Sequence, residues 1–358
     1  MNLPEWKGDK LHIDSDVGLI DGHQKTHNFI VTERESGKST LMWKKVYNAF
    51  RRENKRSIIV KRYQADITDS YIEDTEKLIN KFTGSQIEFN YTRQELNGGT
   101  LDLKIEDQIF CRLIALNTAL SRLKSRFLDN VKYMMYDEFI CNRRLGEKYL
   151  ADEPFRIKEL YTTYNRESSK GIKIYYFGNP YSLHNPFFSD LNVKTNQIYP
   201  GALVAENDYC IWCYRIKDQL KQQILAKNPL YKFDDSYKKY AFDGRAVQDQ
   251  DIKVIEHQPD QFKLDCIFKI HNKCIGVYRG CLIDGDQRIY YWCKIIDPIT
   301  VSRRRDILCF DFGDMSDRTV LYNGKQRFVS LKNAIETRSA GFASIEESWM
   351  IEEIYQEI

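Results

Sequence analysis

The run Thr32-Glu-Arg-Glu-Ser-Gly-Lys-Ser-Thr40 holds the residues of this chain best suited by type and spacing to do chemistry. A turn that leads from a strand into a helix presents backbone N–H groups and a helix N-terminus to a polyphosphate. A lysine at the position of Lys38 then reaches the β- and γ-phosphates, and the hydroxyl of Ser39 ligates Mg²⁺. The spacing G-x-x-x-x-G-K-[ST] asks for a glycine at 32, where this chain has threonine. The candidate nucleotide contacts are therefore Thr32, Glu33, Arg34, Glu35, Ser36, Gly37, Lys38, Ser39 and Thr40. A second constellation ends the run Val131-Lys-Tyr-Met-Met-Tyr-Asp-Glu138, 99 positions beyond Lys38. A buried strand that delivers two acids to its end suits Asp137 to the Mg²⁺ held by Ser39, and Glu138 to polarising the water that attacks the γ-phosphate. In a third, Lys173-Ile-Tyr-Tyr-Phe177 ends at Gly178-Asn179-Pro180, so the Asn179 amide falls at a strand end. There it either senses the γ-phosphate or simply starts the turn before Pro180.

These residues need a scaffold. Apolar residues at 29–31 predict a strand before the turn, and Trp43, Val46, Tyr47 and Phe50 predict a helix over 40–52 after it. A buried strand follows over 57–63, ending in Lys61 and Arg62, then a helix over 66–82 stopped by Gly84. Asn97-Gly98-Gly99 predicts a hairpin between 87–91 and 100–105. A strand over 110–116, a basic segment over 118–126 and a helix over 157–166 complete a unit that reads as a doubly wound, mostly parallel α/β sheet over 1–200. Charged, helix-like stretches at 214–226 and 234–242 suggest a small helical linker or lid over 201–246. From 247 to 358 the chain turns to strands at 262–270, 274–283, 288–296, 307–311 and 327–331, with a last helix over 344–358. The segment 24–27, just upstream of the phosphate turn, is a candidate for packing on a nucleotide base.

At 358 residues, with 42% hydrophobic and 29% charged residues, the chain is long enough for two folded domains. No apolar run approaches the roughly 18 residues of a membrane span, and Met1-Asn-Leu-Pro-Glu-Trp6 lacks the order of a signal peptide, so a cytoplasmic location is expected. Of nine cysteines only Cys210 and Cys213 have metal-like spacing, and without a second pair they read as buried thiols. The net charge of +3 does not by itself indicate nucleic-acid binding.

Residues 29–180 resemble the ATPase of phage DNA-packaging motors, the large-terminase group. Arg34-Glu-Ser-Gly-Lys-Ser39 is similar to that group's phosphate loop, which has an arginine four positions before the lysine and needs no leading glycine. Ile59-Val-Lys-Arg-Tyr63 with Asp66-Ile-Thr-Asp-Ser-Tyr71 is similar to its second-strand region, and Tyr175 to Phe188 to its coupling motif. The length and β-rich tail are closest to the packaging ATPases of the phi-twenty-nine-like podoviruses. The resemblance implies an ATPase that drives double-stranded DNA into a procapsid, as a homomeric ring, usually a pentamer, on the portal. It implies a location at the procapsid vertex in the host cytoplasm and absence from the mature virion, and leaves open a structural RNA as adaptor. It further implies that Arg34 acts on the phosphates in cis, and that Lys124 and Arg166 act across a subunit boundary. Arg143 and Arg144 remain alternatives to Arg166. At 247–358 that group carries a ribonuclease-H-like nuclease; here Asp311-Phe-Gly-Asp-Met-Ser-Asp317 lies late in the domain and Asp265 stands nearly alone on the opening strands, so a vestigial domain is favoured over an active one. Lys61 and Arg62 are the expected DNA contacts, gripping phosphates without reading sequence. The alternatives are a full terminase with a working nuclease, another P-loop phosphotransferase or GTPase, and a binding protein with a degenerate loop. No Asn-Lys-x-Asp guanine signature occurs, and Glu138 argues against a role in binding alone.

Overall fold

A computed structural model describes residues 3–7, 12–13, 16–92, 98–124, 128–142, 145–166, 171–183, 185–228, 231, 253–270, 273–284, 287–297, 307–311, 318–337, 339–344, 347–348 and 350–351. The chain divides into two compact units, Met1–Val247 and Gln248–Ile358.

In the first unit a short helix α1 (Gly18–Asp21) precedes β1 (His27–Thr32), α2 (Lys38–Glu53), β2 (Arg56–Lys61) and α3 (Asp69–Thr83). Then follow β3 (Thr100–Ile105), β4 (Gln108–Ala115), α4 (Leu120–Lys124), β5 (Val131–Asp137), α5 (Glu153–Asn165) and β6 (Lys173–Gly178). The unit closes with α6 (Pro186–Asp190), β7 (Leu203–Glu206), β8 (Tyr209–Tyr214) and α7 (Asp218–Lys227). All eight strands form one sheet in the order β3-β4-β2-β5-β6-β1-β8-β7. From β4 to β8 every pairing is parallel, and only the edge strands β3 and β7 run antiparallel to their neighbours.

The sheet is covered on both faces, as parallel sheets require. Along β1, Phe29 and Val31 enter one apolar cluster with Ile58, Met134 and Tyr176, while Ile30 enters the other with Ile59, Trp43 and Tyr47. Helix α2 starts at Gly37 in the left-handed region (φ 95°) and stops at left-handed Asn54, where the Asn54 N–H satisfies the Phe50 carbonyl and the Lys55 N–H the Ala49 carbonyl. Thr68 caps α3 by accepting from the Tyr71 N–H, and left-handed Gly84 ends it.

Two expectations change in this unit. The tight hairpin lies at Glu106-Asp107, both with positive φ, joining β3 to β4; 87–91 contributes one isolated bridge, Asn90 to Lys104. The two-residue turn wins because it pairs two amphipathic strands directly. Residues 203–214 are not linker: β7 and β8 belong to the sheet, and β8 lies against β1 from His27–Tyr209 to Thr32–Tyr214. Every residue of β8 is buried, which a continuous apolar run in a parallel sheet produces. α7 supplies the helix expected near 214–226, and 234–242 lies outside the described residues.

In the second unit β9 (Lys263–Ile270), β10 (Lys273–Asp284) and β11 (Gln287–Ile296) form an antiparallel meander. β12 (Leu308–Asp311) then adds parallel to β9, α8 (Arg318–Glu336) follows, and β13 (Ala340–Phe342) adds parallel to β11. The expected strand at 327–331 is part of α8, where Phe328, Leu331 and Ala334 supply a buried stripe at helical spacing. Residues 347–348 and 350–351 are helical, and 352–358 lie outside the described residues. Among the described residues no helix is long and apolar enough to cross a membrane.

Candidate functional site

Register brings the separate motifs together. β6 lies between β1 and β5, with Val31 opposite Gly178 and Phe177 opposite Asp137. The loop after β1, the Asn179 turn after β6 and the acids ending β5 therefore emerge side by side at the carboxyl edge of the sheet, where ligands bind in open α/β folds. Gly178 makes this approach possible, since a Cβ there would meet the Phe139 ring at 2.8 Å.

The loop itself explains why no glycine is needed at 32. Thr32 is the last paired residue of β1, and the left-handed positions are Glu35 (φ 60°) and Gly37 (φ 95°). A side chain at Gly37 would combine that strained φ with a contact of 3.1 Å to His12. Lys38 Nζ donates to the Thr32 carbonyl at 3.1 Å, the Glu33 carbonyl at 2.9 Å and Asn179 Oδ1 at 2.6 Å. Its pKa falls to about 8, because burial disfavours the ammonium more than Asp137, Glu33 and Glu138 favour it. Ser36 is fully buried and its Oγ has no hydrogen-bond partner among the described residues. Ser39 is exposed and Thr40 half-buried. Glu33 is buried, accepts from the Ile216 N–H at 3.2 Å, and is raised by desolvation; the exposed Glu35 accepts from the Tyr231 hydroxyl at 2.9 Å.

A residue not anticipated as a site member, Tyr181, ties the loop to the third motif. Its hydroxyl accepts from Arg34 Nη2 and from Asn179 Nδ2, each at 3.0 Å. Lys38, Asn179, Tyr181 and Arg34 thus form one chain of hydrogen bonds. Asn179 therefore does more than open a turn: its amide is oriented by the groups on either side.

Asp137 is buried and accepts from Lys61 Nζ at 2.6 Å, and that ammonium also sits 4.4 Å from the centre of the Tyr71 ring. Burial opposes the Lys61 charge, yet Asp137, Tyr71 and Glu138 together raise its pKa. Glu138 adopts φ 61° and is exposed just beyond the end of β5, where desolvation and then the Asp137 charge raise its carboxyl.

Lys61, one of the two expected DNA contacts, ends β2, and Arg62, the other, follows it directly. Lys61 is 7% and Arg62 5% exposed, and each is consumed by a buried acid, Asp137 and Glu153 respectively. Arg166 is exposed just beyond α5, and Lys124 ends α4. Arg143 and Arg144 lie outside the described residues.

A cavity of about 430 Å³ opens beside the loop, lined by His12, Glu35, Gly37, Lys38, Ser39 and Thr40 on one side and by α7 residues Leu220, Gln223, Ile224 and Lys227 on the other. Residues 24–27, suggested above for a base contact, sit at the opposite end of β1, where Lys25 and Thr26 bond Asn207 and Asp208 and His27 Nδ1 meets the Tyr176 hydroxyl. Cys210 and Cys213 occupy opposite faces of β8, in different apolar clusters, so they cannot share one metal. In the second unit Asp265 pairs with Arg327 at 2.5 Å, and among the described residues no group of His, Cys, Asp and Glu is arranged to hold a metal.

Comparison with known proteins bears on this arrangement. The profile of the podovirus DNA encapsidation protein family (Gp16) matches residues 18–350. The fold is similar to the bacteriophage Phi-28 gp11 DNA packaging motor, with TM-score 0.63 and 16% identity over 98% of each chain. It is likewise similar to the bacteriophage Phi-29 viral genome packaging motor assembly, with TM-score 0.60 and 16% identity over 99% of each chain. The large terminase of a thermophilic bacteriophage also matches, at TM-score 0.43 and 10% identity over 93% of this chain and 88% of that one. No curated protein sequence matches. The chain belongs to the podovirus DNA encapsidation protein (Gp16) family.

Proposed function

We propose that this protein is the ATP-hydrolysing motor that drives double-stranded viral DNA into a procapsid, working as a homo-oligomeric ring at the portal. The observation that carries the reading is the convergence of Lys38, Asn179, Asp137 and Glu138 at one sheet edge from three separate strands.

The residues suit a magnesium nucleotide. Two left-handed positions shape the loop, Ser36 Oγ is unsatisfied among the described residues, and the Lys38 ammonium donates to neutral oxygens that an anion would replace. The triphosphate would lie over the loop with its base in the cavity between His12 and α7. Ser39 and Asp137 are the groups to hold Mg²⁺, which supplies charge neutralisation at the phosphates when bound. Lys38 would exchange the two loop carbonyls for phosphate oxygens, and Asn179, steered by Tyr181, would report the γ-phosphate. Arg34, on the other side of Tyr181, would add charge in cis. Glu138 would take the proton of the attacking water, for which its raised pKa suits it. Arg166, exposed at the end of a buried-faced helix, would complete a neighbour's site in trans, as would Lys124; a group that arrives only when an interface closes couples hydrolysis to subunit movement.

A five-membered ring, a structural RNA adaptor and action at the procapsid vertex in the host cytoplasm belong to the same proposal. For the second unit we propose a ribonuclease-H-related domain without nuclease activity. The meander with β12 parallel beside β9 supports the relation, and the Arg327 guanidinium paired with Asp265 would compete with a divalent metal for that carboxylate.

The test is ATP turnover by purified protein with and without double-stranded DNA and empty capsids. Turnover stimulated by both, and a Glu138→Gln variant that binds ATP without hydrolysing it, are expected. Normal hydrolysis by Glu138→Gln would remove the assigned base, and absence of any nucleotide binding by the unaltered chain would remove the motor.

A further inference from the structure

Glu138 holds a left-handed backbone conformation (φ 61°) that is strained for a non-glycine residue and persists only where surroundings enforce it. The enforcing group is Arg62. Its Nη2 donates to the Glu138 carbonyl and the Phe139 carbonyl, each at 3.0 Å, while the Phe139 N–H donates to the Phe177 carbonyl at 3.1 Å. Arg62 is fixed in turn by Glu153, the first residue of α5. Nε reaches the two carboxylate oxygens at 3.3 and 3.0 Å, and Nη2 reaches Oε1 at 3.1 Å. Glu153 is wholly buried, and it also accepts from the Leu150 N–H at 2.7 Å and from the Tyr136 hydroxyl. The rings of Tyr136 and Tyr149 lie against the guanidinium, at 5.7 and 5.4 Å from its carbon.

Burying both charges is costly, and apolar residues could fill the same volume with equal or better stability. What apolar residues cannot do is span a carboxylate and two carbonyls at once, a task suited to the rigid fork of an arginine. We propose that Arg62, Glu153 and Tyr136 are positioning residues: a buried clamp that holds Glu138 in its working backbone conformation and ties it to α5. The clamp rests on the reading of Glu138 as the base. Because α5 is locked at its first residue to this clamp, and packs Ile157, Leu160 and Tyr164 inward along its length, the same rigid helix that steadies Glu138 carries Arg166 at its far end. Movement of Glu138 is thereby linked to the presentation of the arginine offered to the neighbouring subunit.

The experiment measures kcat and KM for ATP, in the presence of DNA, for the full chain carrying Glu153→Gln, Arg62→Lys or Tyr136→Phe, alongside Glu138→Gln. Active sites are counted by nucleotide binding, so that misfolded protein does not contribute. Displacement of a catalytic group by about 1 Å costs on the order of 100-fold, so Glu153→Gln and Arg62→Lys should lose about 10- to 100-fold in kcat with KM within about threefold of the unaltered protein. Tyr136→Phe, which keeps volume and removes one hydrogen bond, should lose less, about 3- to 10-fold. Should Glu153→Gln fail to fold, Tyr136→Phe decides. Unchanged kcat per active site in Tyr136→Phe or any folded clamp variant, or a loss confined to KM, overturns the clamp while a dead Glu138→Gln leaves the base in place. Full turnover by Glu138→Gln removes the base itself.

Discussion

Lys61→Met separates two roles that a lysine at a strand end can have. The substitution keeps the unbranched stem and removes the charge, leaving the buried Asp137 without the ammonium that sits 2.6 Å away. Removing one partner of a buried ion pair costs about 3–5 kcal/mol, because the remaining charge stays desolvated. For a unit the size of Met1–Val247, each kcal/mol moves the melting temperature by about 2–4 °C, so the melting temperature should fall by roughly 6–20 °C. The DNA side of the prediction is a negative with a number attached. A lysine on a phosphate contributes about 0.9 to the slope of log K against log salt, and Lys61 should contribute none. Differential scanning calorimetry and DNA binding between about 50 and 200 mM salt read both quantities on one preparation. A melting temperature unchanged within about 2 °C, together with a salt slope reduced by about 0.9, would place Lys61 on the DNA and not on Asp137.

Three further outcomes follow from the site. Lys38 has its folded pKa lowered from 10.5 to about 8, so the empty site loses its proton as pH rises through 8, and ATP binding should weaken above that pH with uptake of a proton on binding. Titration calorimetry in buffers of different ionisation enthalpy reads that uptake; Lys38→Arg should abolish it, and equal affinity from about pH 7 to 9.5 with no uptake would contradict the assignment. The acid limb of kcat should have its midpoint above 4.5, since Glu138 must be ionised to act and its pKa is raised; a midpoint at or below 4.5 contradicts that role. Arg166→Ala should be inactive alone and recover activity when mixed with Glu138→Gln subunits, and no recovery at any ratio would place the arginine in cis.

The parts of the site that lie in one contiguous run were legible in the sequence: the loop at 32–40, the acids at 137–138 and the amide at 179 each end an apolar strand. What the sequence withheld was non-local. Lys61 and Arg62 look like exposed cations after an apolar run, and only the pairing of Val60 with Tyr136 turns them toward Asp137 and Glu153. Glu153 reads as an ordinary acid in a first helical turn, where it would complement the dipole at the surface; its burial depends on Arg62 arriving from 91 positions away. His12 and α7 meet across the cavity from opposite ends of the unit, which no local pattern announces. The strand at 209–214 did carry a signal, since Tyr-Cys-Ile-Trp-Cys-Tyr is a continuous apolar run of the kind a central parallel strand needs, but the polar residues on both sides disguised it as linker.

The most direct measurement is a structure of the protein with a non-hydrolysable ATP analogue and Mg²⁺. The account predicts the γ-phosphate within hydrogen-bonding reach of Lys38 Nζ and Asn179, the metal beside Ser39 and Asp137, and the base between His12 and α7. A nucleotide bound elsewhere, or one whose phosphates leave Lys38 on its loop carbonyls and Glu138 remote from the γ-phosphate, would contradict it.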